Sequence, residues 1–247
     1  MTRMMDIKTY IITLKSNADS TASAMRTMQS AVNFGQREVY TYAARTPENF
    51  GEVLDMSKDT EFWKYPRPAN VAACFASHLE LWRKCIELNE TILILEHDAI
   101  FIKPLPHVEF DKCITFGRPS YIRTNHIATE APVYGVQILR DVNFLGHHAY
   151  MIKPEAAKIF VDDYNKGTRP LSPNDLWMSK EEYPWLEEHW PCPVIADTDF
   201  STVQDDVPYN SPIASEYDFG ELHKNRKFLQ QYYPNCLEKQ SYRFIKA

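Results

Sequence analysis

The chain has 247 residues, 44% apolar and 24% charged, with a formal net charge of −6. These totals describe a globular chain able to bury one large core or two small ones. They argue against the broad basic footprint of a general nucleic-acid binder.

The elements follow from the residue pattern in chain order. Ile7 to Leu14 is rich in β-branched and aromatic residues and reads as a first strand. Ser20 to Phe34 carries Ala24, Met28 and Ala31 at helical spacing and stops at Gly35. Glu38 to Ala43 follows as a second strand, so the chain opens as an α/β domain. Residues 44 to 70 hold Pro47, Gly51, Pro66 and Pro68, which predicts loop and irregular helix. From Val71 to Leu88, the residues Ala72, Phe75, Leu79, Trp82 and Ile86 recur at steps of three and four, which predicts a helix.

That helix feeds the central stretch, Thr91-Ile-Leu-Ile-Leu-Glu96-His97-Asp98-Ala99-Ile-Phe-Ile102. The apolar run that ends at Glu96 reads as a buried strand, and a second short apolar run follows Asp98. On a strand-like path Glu96 and Asp98 point to one side, where their oxygens can converge on a divalent cation. A solvated turn is the plainer explanation of the same triplet.

Beyond Lys103-Pro104 the pattern predicts strands over Lys112–Phe116, Pro132–Leu139 and Ala149–Ile152, then a helix opened by Pro154 and running to Tyr164. Asn174 is placed to cap a short helix through Trp177, and Pro193-Val-Ile-Ala is the last predicted strand. Of Trp177, Trp185 and Trp190, at least two are expected in the core, the alternative being a stacking surface for a ligand. Asp197, Asp199, Asp205 and Asp206 read as a solvated loop, and the basic, tyrosine-containing tail from Tyr217 as a solvated helix. No repeat or low-complexity tract is present. The five cysteines show no metal-ligand spacing and fit reduced thiols. The apolar segment near the N-terminus is too short for a signal peptide or membrane span, which predicts a cytoplasmic protein, soluble or peripheral at a membrane.

Four blocks together resemble glycosyltransferase family 25, the family of lipopolysaccharide-biosynthesis and procollagen galactosyltransferases. They are Ile7–Met28; Ala72-Ala-Cys-Phe-Ala-Ser77-His78 running into Ile94-Leu-Glu96-His97-Asp98-Ala99; Gly146–Ile152 with Pro173-Asn174-Asp175; and Pro191-Cys-Pro-Val-Ile-Ala with Ser201-Thr202. The resemblance implies an α/β fold of the GT-A type, a Rossmann-related open mixed sheet flanked by helices in a single domain. The domain is expected over residues 1–210, with a C-terminal extension over 211–247.

It further implies an inverting, metal-dependent transfer of a sugar from a nucleotide sugar, UDP-linked, to a hydroxyl acceptor. A glycan or lipopolysaccharide-type saccharide leads as acceptor, with modified DNA and protein hydroxyls open. The compact size resembles bacterial or viral members. In this resemblance Asp98, Glu96 and His97 are the candidate ligands for Mn²⁺ or Mg²⁺, His97 standing where the family usually has Asp. Glu96 has an alternative role on sugar or ribose hydroxyls. Ser77 and His78 belong to the donor site, whether by touching the donor or by orienting the Glu96–Asp98 loop. Asp175 is the candidate base; His148, in the pair His147-His148, is its rival. Two other classes stay open: a nucleotide-sugar binder that has lost its chemistry, and a divalent-metal phosphoesterase.

Overall fold

The computed structural model describes residues 7–65, 67–117 and 133–196. Strand β1 (Lys8–Thr13) leads into helix α1 (Ala18–Asn33), then β2 (Val39–Ala43). Two short 3₁₀ turns precede α2 (Pro68–Leu88), which leads to β3 (Ile92–Glu96) and β4 (Ala99–Phe101). The rest comprises β5 (Cys113–Thr115), β6 (Gly135–Ile138), β7 (Ala149–Ile152), α3 (Pro154–Lys166), α4 (Asn174–Trp177), β8 (Leu186–Trp190) and β9 (Val194–Ala196).

Seven strands form one mixed sheet in the order β2-β1-β3-β7-β5-β8-β6, and β4 pairs with β9 in a separate antiparallel ribbon. Strands β2 and β3 flank β1 and both run parallel to it, whereas β7 joins β3 antiparallel. The chain thus leaves β1 to one side through α1 and returns to the other side through α2. This mixed α/β sheet flanked by helices is the expected fold class, consistent with a single GT-A-like domain. The expected boundary at residue 210, the extension, Ser201-Thr202 and the four aspartates lie outside the described residues.

Alternation along the strands assigns each face its own core. Tyr10, Ile12, Ile92, Ile94, Tyr150 and Ile152 pack with α2 and α3. Ile11, Leu93, Leu95, Ala149 and Met151 pack with Ala24 and Ala31 of α1. The buried stripe of α1 is small, Ser20, Ser23, Ala24, Thr27 and Ala31, so that helix lies close to the sheet. Asn17 caps it, its side chain accepting from Ser20 N–H at 2.8 Å. Helices α2 and α3 both begin with proline, and both end on a residue of left-handed backbone, Asn89 (φ 52°) and Gly167 (φ 61°).

Three expectations need correction. The strand ends at the acidic triplet as expected, but Glu96 and Asp98 do not follow one strand-like path: the chain turns at His97-Asp98 and enters a different sheet at Ala99. Asn174 does not cap α4. It is the first helical residue, with Pro173 in the cap position, and its buried amide has no hydrogen-bond partner among the described residues. Strand β8, Leu-Glu-Glu-His-Trp, was not foreseen, because its polarity hides a buried strand. It is accommodated because Glu188, 6% exposed, is paired with Arg140. As expected, two tryptophans are core: Trp177 stacks on Trp82, and Trp185 stacks on Phe160 at the core edge.

Candidate active site at the C-terminal end of strand β3

Glu96 is the last residue of β3 and shares its parity with Ile92 and Ile94. Its side chain therefore leaves the sheet on the α2 face. There α2 presents Cys74 and His78, four residues apart and hence on one side of the helix. A tight turn ahead of β7 brings His147 to the same point, held by the hydrogen bond from Glu96 N–H to His148 O at 2.9 Å.

Three groups converge on a single carboxylate oxygen. His147 Nε2 is 3.0 Å from Glu96 Oε1, His78 Nε2 is 3.5 Å from it, and Cys74 Sγ is 3.9 Å from it. The four ligand-capable atoms of Cys74, His78, Glu96 and His147 all lie within 4.8 Å of one another. The site is sunk but open on one side: the His78 side chain is fully buried, while those of His147 and Glu96 are 16% and 23% exposed.

Behind the site, Tyr150 Oη sits 2.9 Å from His78 Nδ1 and accepts from Trp82 Nε1–H at 2.8 Å. With one lone pair used by Trp82, the hydroxyl proton is free to go to His78 Nδ1. In that arrangement His78 carries its own proton on Nε2, which lies 3.5 Å from Glu96 Oε1. Burial pushes the proton affinity of His78 down, so it is neutral.

The charges follow from the contacts. Burial favours the neutral form of Glu96, but the His147 charge and the hydrogen bonds of His147 and His78 outweigh it and hold the carboxyl well below its usual range. Burial likewise opposes charge on His147, yet Glu96 and Cys74 raise it well above the ordinary histidine value. In the metal-free chain the two form an ion pair. Burial lifts the Cys74 thiol to about 11, so it stays protonated there.

Helix α1 fixes the turn that follows. Thr27 Oγ1 donates to His97 O at 2.6 Å, and Ser30 Oγ accepts from Phe101 N–H at 3.1 Å. His97 and Asp98 are therefore half-buried turn residues. Neither belongs to the four-residue cluster.

Ser77 is fully buried and holds the loop after β2, accepting from Arg45 N–H at 2.8 Å while donating to Ala73 O at 2.8 Å. Asp175 is half-buried at the start of α4. Burial raises its proton affinity, and it lies in the electrostatic field of His147 and Glu96. His148 is 4% exposed, its ring against Gly117 rather than in the cluster. Burial lowers its pKa to about 4, so it is neutral.

The structure thus brings together two of the predicted residues, Glu96 and His78, with His147, which the sequence marked only as one of a histidine pair suited to the acceptor or a metal, and with Cys74, which sequence reasoning did not single out. The available signals were the i,i+4 spacing of Cys74 and His78 and the adjacent histidines at 147 and 148. The convergent donor set is one thiol, two imidazoles and one carboxylate. Mg²⁺ and Mn²⁺ favour oxygen ligands, so this cluster does not fit the expected Mn²⁺ or Mg²⁺ site.

The class of protein follows from position. In open α/β sheets, ligands bind beyond the carboxyl ends of parallel strands where the connections reverse direction across the sheet. Here that point is the crevice between β1 and β3, and Glu96 stands at its edge. This is the place of a ligand-binding site in an α/β enzyme.

Residues 6–111 match the model of glycosyltransferase family 25, described as an LPS biosynthesis protein. The matched segment runs from β1 past the Glu96–Asp98 turn. It bears out the family resemblance over that stretch and supports a glycosyltransferase enzyme, with a sugar donor and an acceptor. No curated protein matches the chain. No helix among the described residues is long and apolar enough to cross a membrane.

Proposed function

We propose that the chain transfers a sugar from a nucleotide sugar, UDP-linked, to a hydroxyl acceptor with inversion at the anomeric carbon. The observation that carries this reading is positional: the family match spans the β1–α2–β3 unit, and that unit ends by placing an ionised carboxylate, Glu96, at the crevice. A glycan or lipopolysaccharide-type saccharide is the acceptor class that the family description supports best.

Three roles follow. Glu96, kept ionised by its neighbours, accepts hydrogen bonds from hydroxyls of the donor sugar or ribose. Asp98, two residues further into the turn, supplies a second carboxylate near the same edge. Asp175 is the base that takes the acceptor hydroxyl's proton; its raised proton affinity brings it closer to the operating pH, where a base is effective. His148 is the weaker candidate, because its ring is buried against Gly117. Ser77 and His78 act by holding the Arg45 loop and Glu96 in place. No step is assigned to Mn²⁺ or Mg²⁺, because the donor set does not suit them.

The test is a panel of nucleotide sugars scored for slow donor hydrolysis and for transfer to saccharide acceptors. Turnover of one donor, lost in Glu96→Gln with the fold retained, is the expected result. A folded sample that binds and turns over none of them refutes the proposal, and tight binding without turnover points to a binding protein.

A further inference from the structure

We infer that Cys74, His78, Glu96 and His147 form a four-ligand site for a transition-metal ion of the Zn²⁺ class, distinct in chemistry from an oxygen-ligated Mn²⁺ or Mg²⁺ site. The donor set argues for it first. Thiolate and imidazole select zinc-like ions, and a Cys-His-His-carboxylate set of four protein ligands is a closed, tetrahedral arrangement.

The spacing argues for it second. Tetrahedral Zn²⁺ with bonds of about 2.0–2.3 Å has ligand-to-ligand edges of roughly 3.3–3.8 Å. The three contacts to Glu96 Oε1 are 3.0, 3.5 and 3.9 Å, and all four ligand atoms fit within 4.8 Å. An ion can enter with side-chain adjustments of up to about 1 Å, within the reach of rotamer changes and with no change of fold.

The surroundings argue for it third. A metal-bound histidine uses its other ring nitrogen on a fixed partner, and His78 Nδ1 already faces the Tyr150 hydroxyl at 2.9 Å. That hydroxyl can donate or accept. When Nε2 of His78 takes the metal, the imidazole proton sits on Nδ1 and donates a hydrogen bond to Tyr150 Oη, while the Cys74 thiol proton and one His147 proton are released to solvent. The side open to solvent, at His147 and Glu96, gives the ion a path in.

The ligands come from three separate elements: α2, the end of β3 and the turn before β7. A bound ion therefore ties the helix to the sheet at the mouth of the crevice and fixes the orientation of Glu96. This holds whether or not the chain transfers sugar, and the test uses no sugar chemistry.

The experiment is titration of the chelator-stripped full chain with Co²⁺, followed by visible absorption. The expected result is an intense tetrahedral spectrum with a thiolate-to-cobalt charge-transfer band, saturating at about one ion per chain. A stoichiometric amount of Zn²⁺ should bleach it, and an excess of Mg²⁺ or Mn²⁺ should not. Cys74→Ser should remove the charge-transfer band, and His147→Gln should weaken Co²⁺ binding at least about tenfold. The wild-type spectrum decides the matter even if a variant fails to fold. A folded wild type with no thiolate band, or an octahedral spectrum displaced by Mg²⁺, overturns the inference.

Discussion

Replacing Tyr150 by phenylalanine removes one oxygen from the centre of the buried chain behind the site. Tyr150, Trp82 and His78 are each 0% exposed, so water cannot take the place of the lost hydroxyl. The substitution strands Trp82 Nε1–H, which donates at 2.8 Å, and His78 Nδ1, which lies at 2.9 Å. Each buried group left without its partner costs about 1–3 kcal/mol, so the expected loss for the two is roughly 2–6 kcal/mol. At about 2–4 °C per kcal/mol for a domain of this size, the melting temperature should fall by roughly 4–24 °C. Urea unfolding of the metal-free protein, followed by circular dichroism, measures it as a lower midpoint at unchanged slope. The same variant should weaken Co²⁺ binding by about 10- to 100-fold, because His78 loses the partner that orients its ring. A stability loss below about 1 kcal/mol would show that these two groups find other partners, and the hydrogen-bond reasoning would fail.

Two further predictions concern chemistry and packing. If Asp175 is the base, transfer should fall as the pH drops through a value above the ordinary 3.8, because the base works only when deprotonated and burial raises its proton affinity. Asp175→Asn should abolish that acid limb and cost about 10²–10⁴-fold in rate with the fold retained; an unchanged pH profile assigns the base elsewhere. A Cβ on Gly146 would overlap the Gly117 carbonyl and crowd Thr115 Oγ1, which donates to Gly146 O at 2.6 Å. Gly146→Ala should therefore destabilise the domain by about 1–3 kcal/mol and displace the adjacent His147, a change that unfolding midpoints and Co²⁺ affinity both report; unchanged values in both would refute the packing argument.

Much of the frame was legible because it rests on local periodicity. The first strand and helix, the long helix ahead of the acidic stretch, the Ala149–Ile152 strand and the helix opened by Pro154 all carry unambiguous patterns. Strand β8 escaped because it buries Glu188 with a partner, Arg140, drawn from another part of the chain. No reading of residues 186–190 alone can reveal that pairing.

The site divides the same way. The sequence by itself determined that an acidic triplet ends a buried strand and that a Ser-His pair lies on the helix before it, since both depend only on residue order. The tertiary structure decided which of those groups meet. The chain turns at His97-Asp98, so the two carboxylates do not lie along one continuous strand; the turn before β7 sends His147 to Glu96 while His148 packs on Gly117. A turn of one or two residues reverses which side chain faces a crevice. The fold gathers Cys74, His78, Glu96 and His147 around one point, whereas His97 and Asp98 stand in the turn outside that cluster.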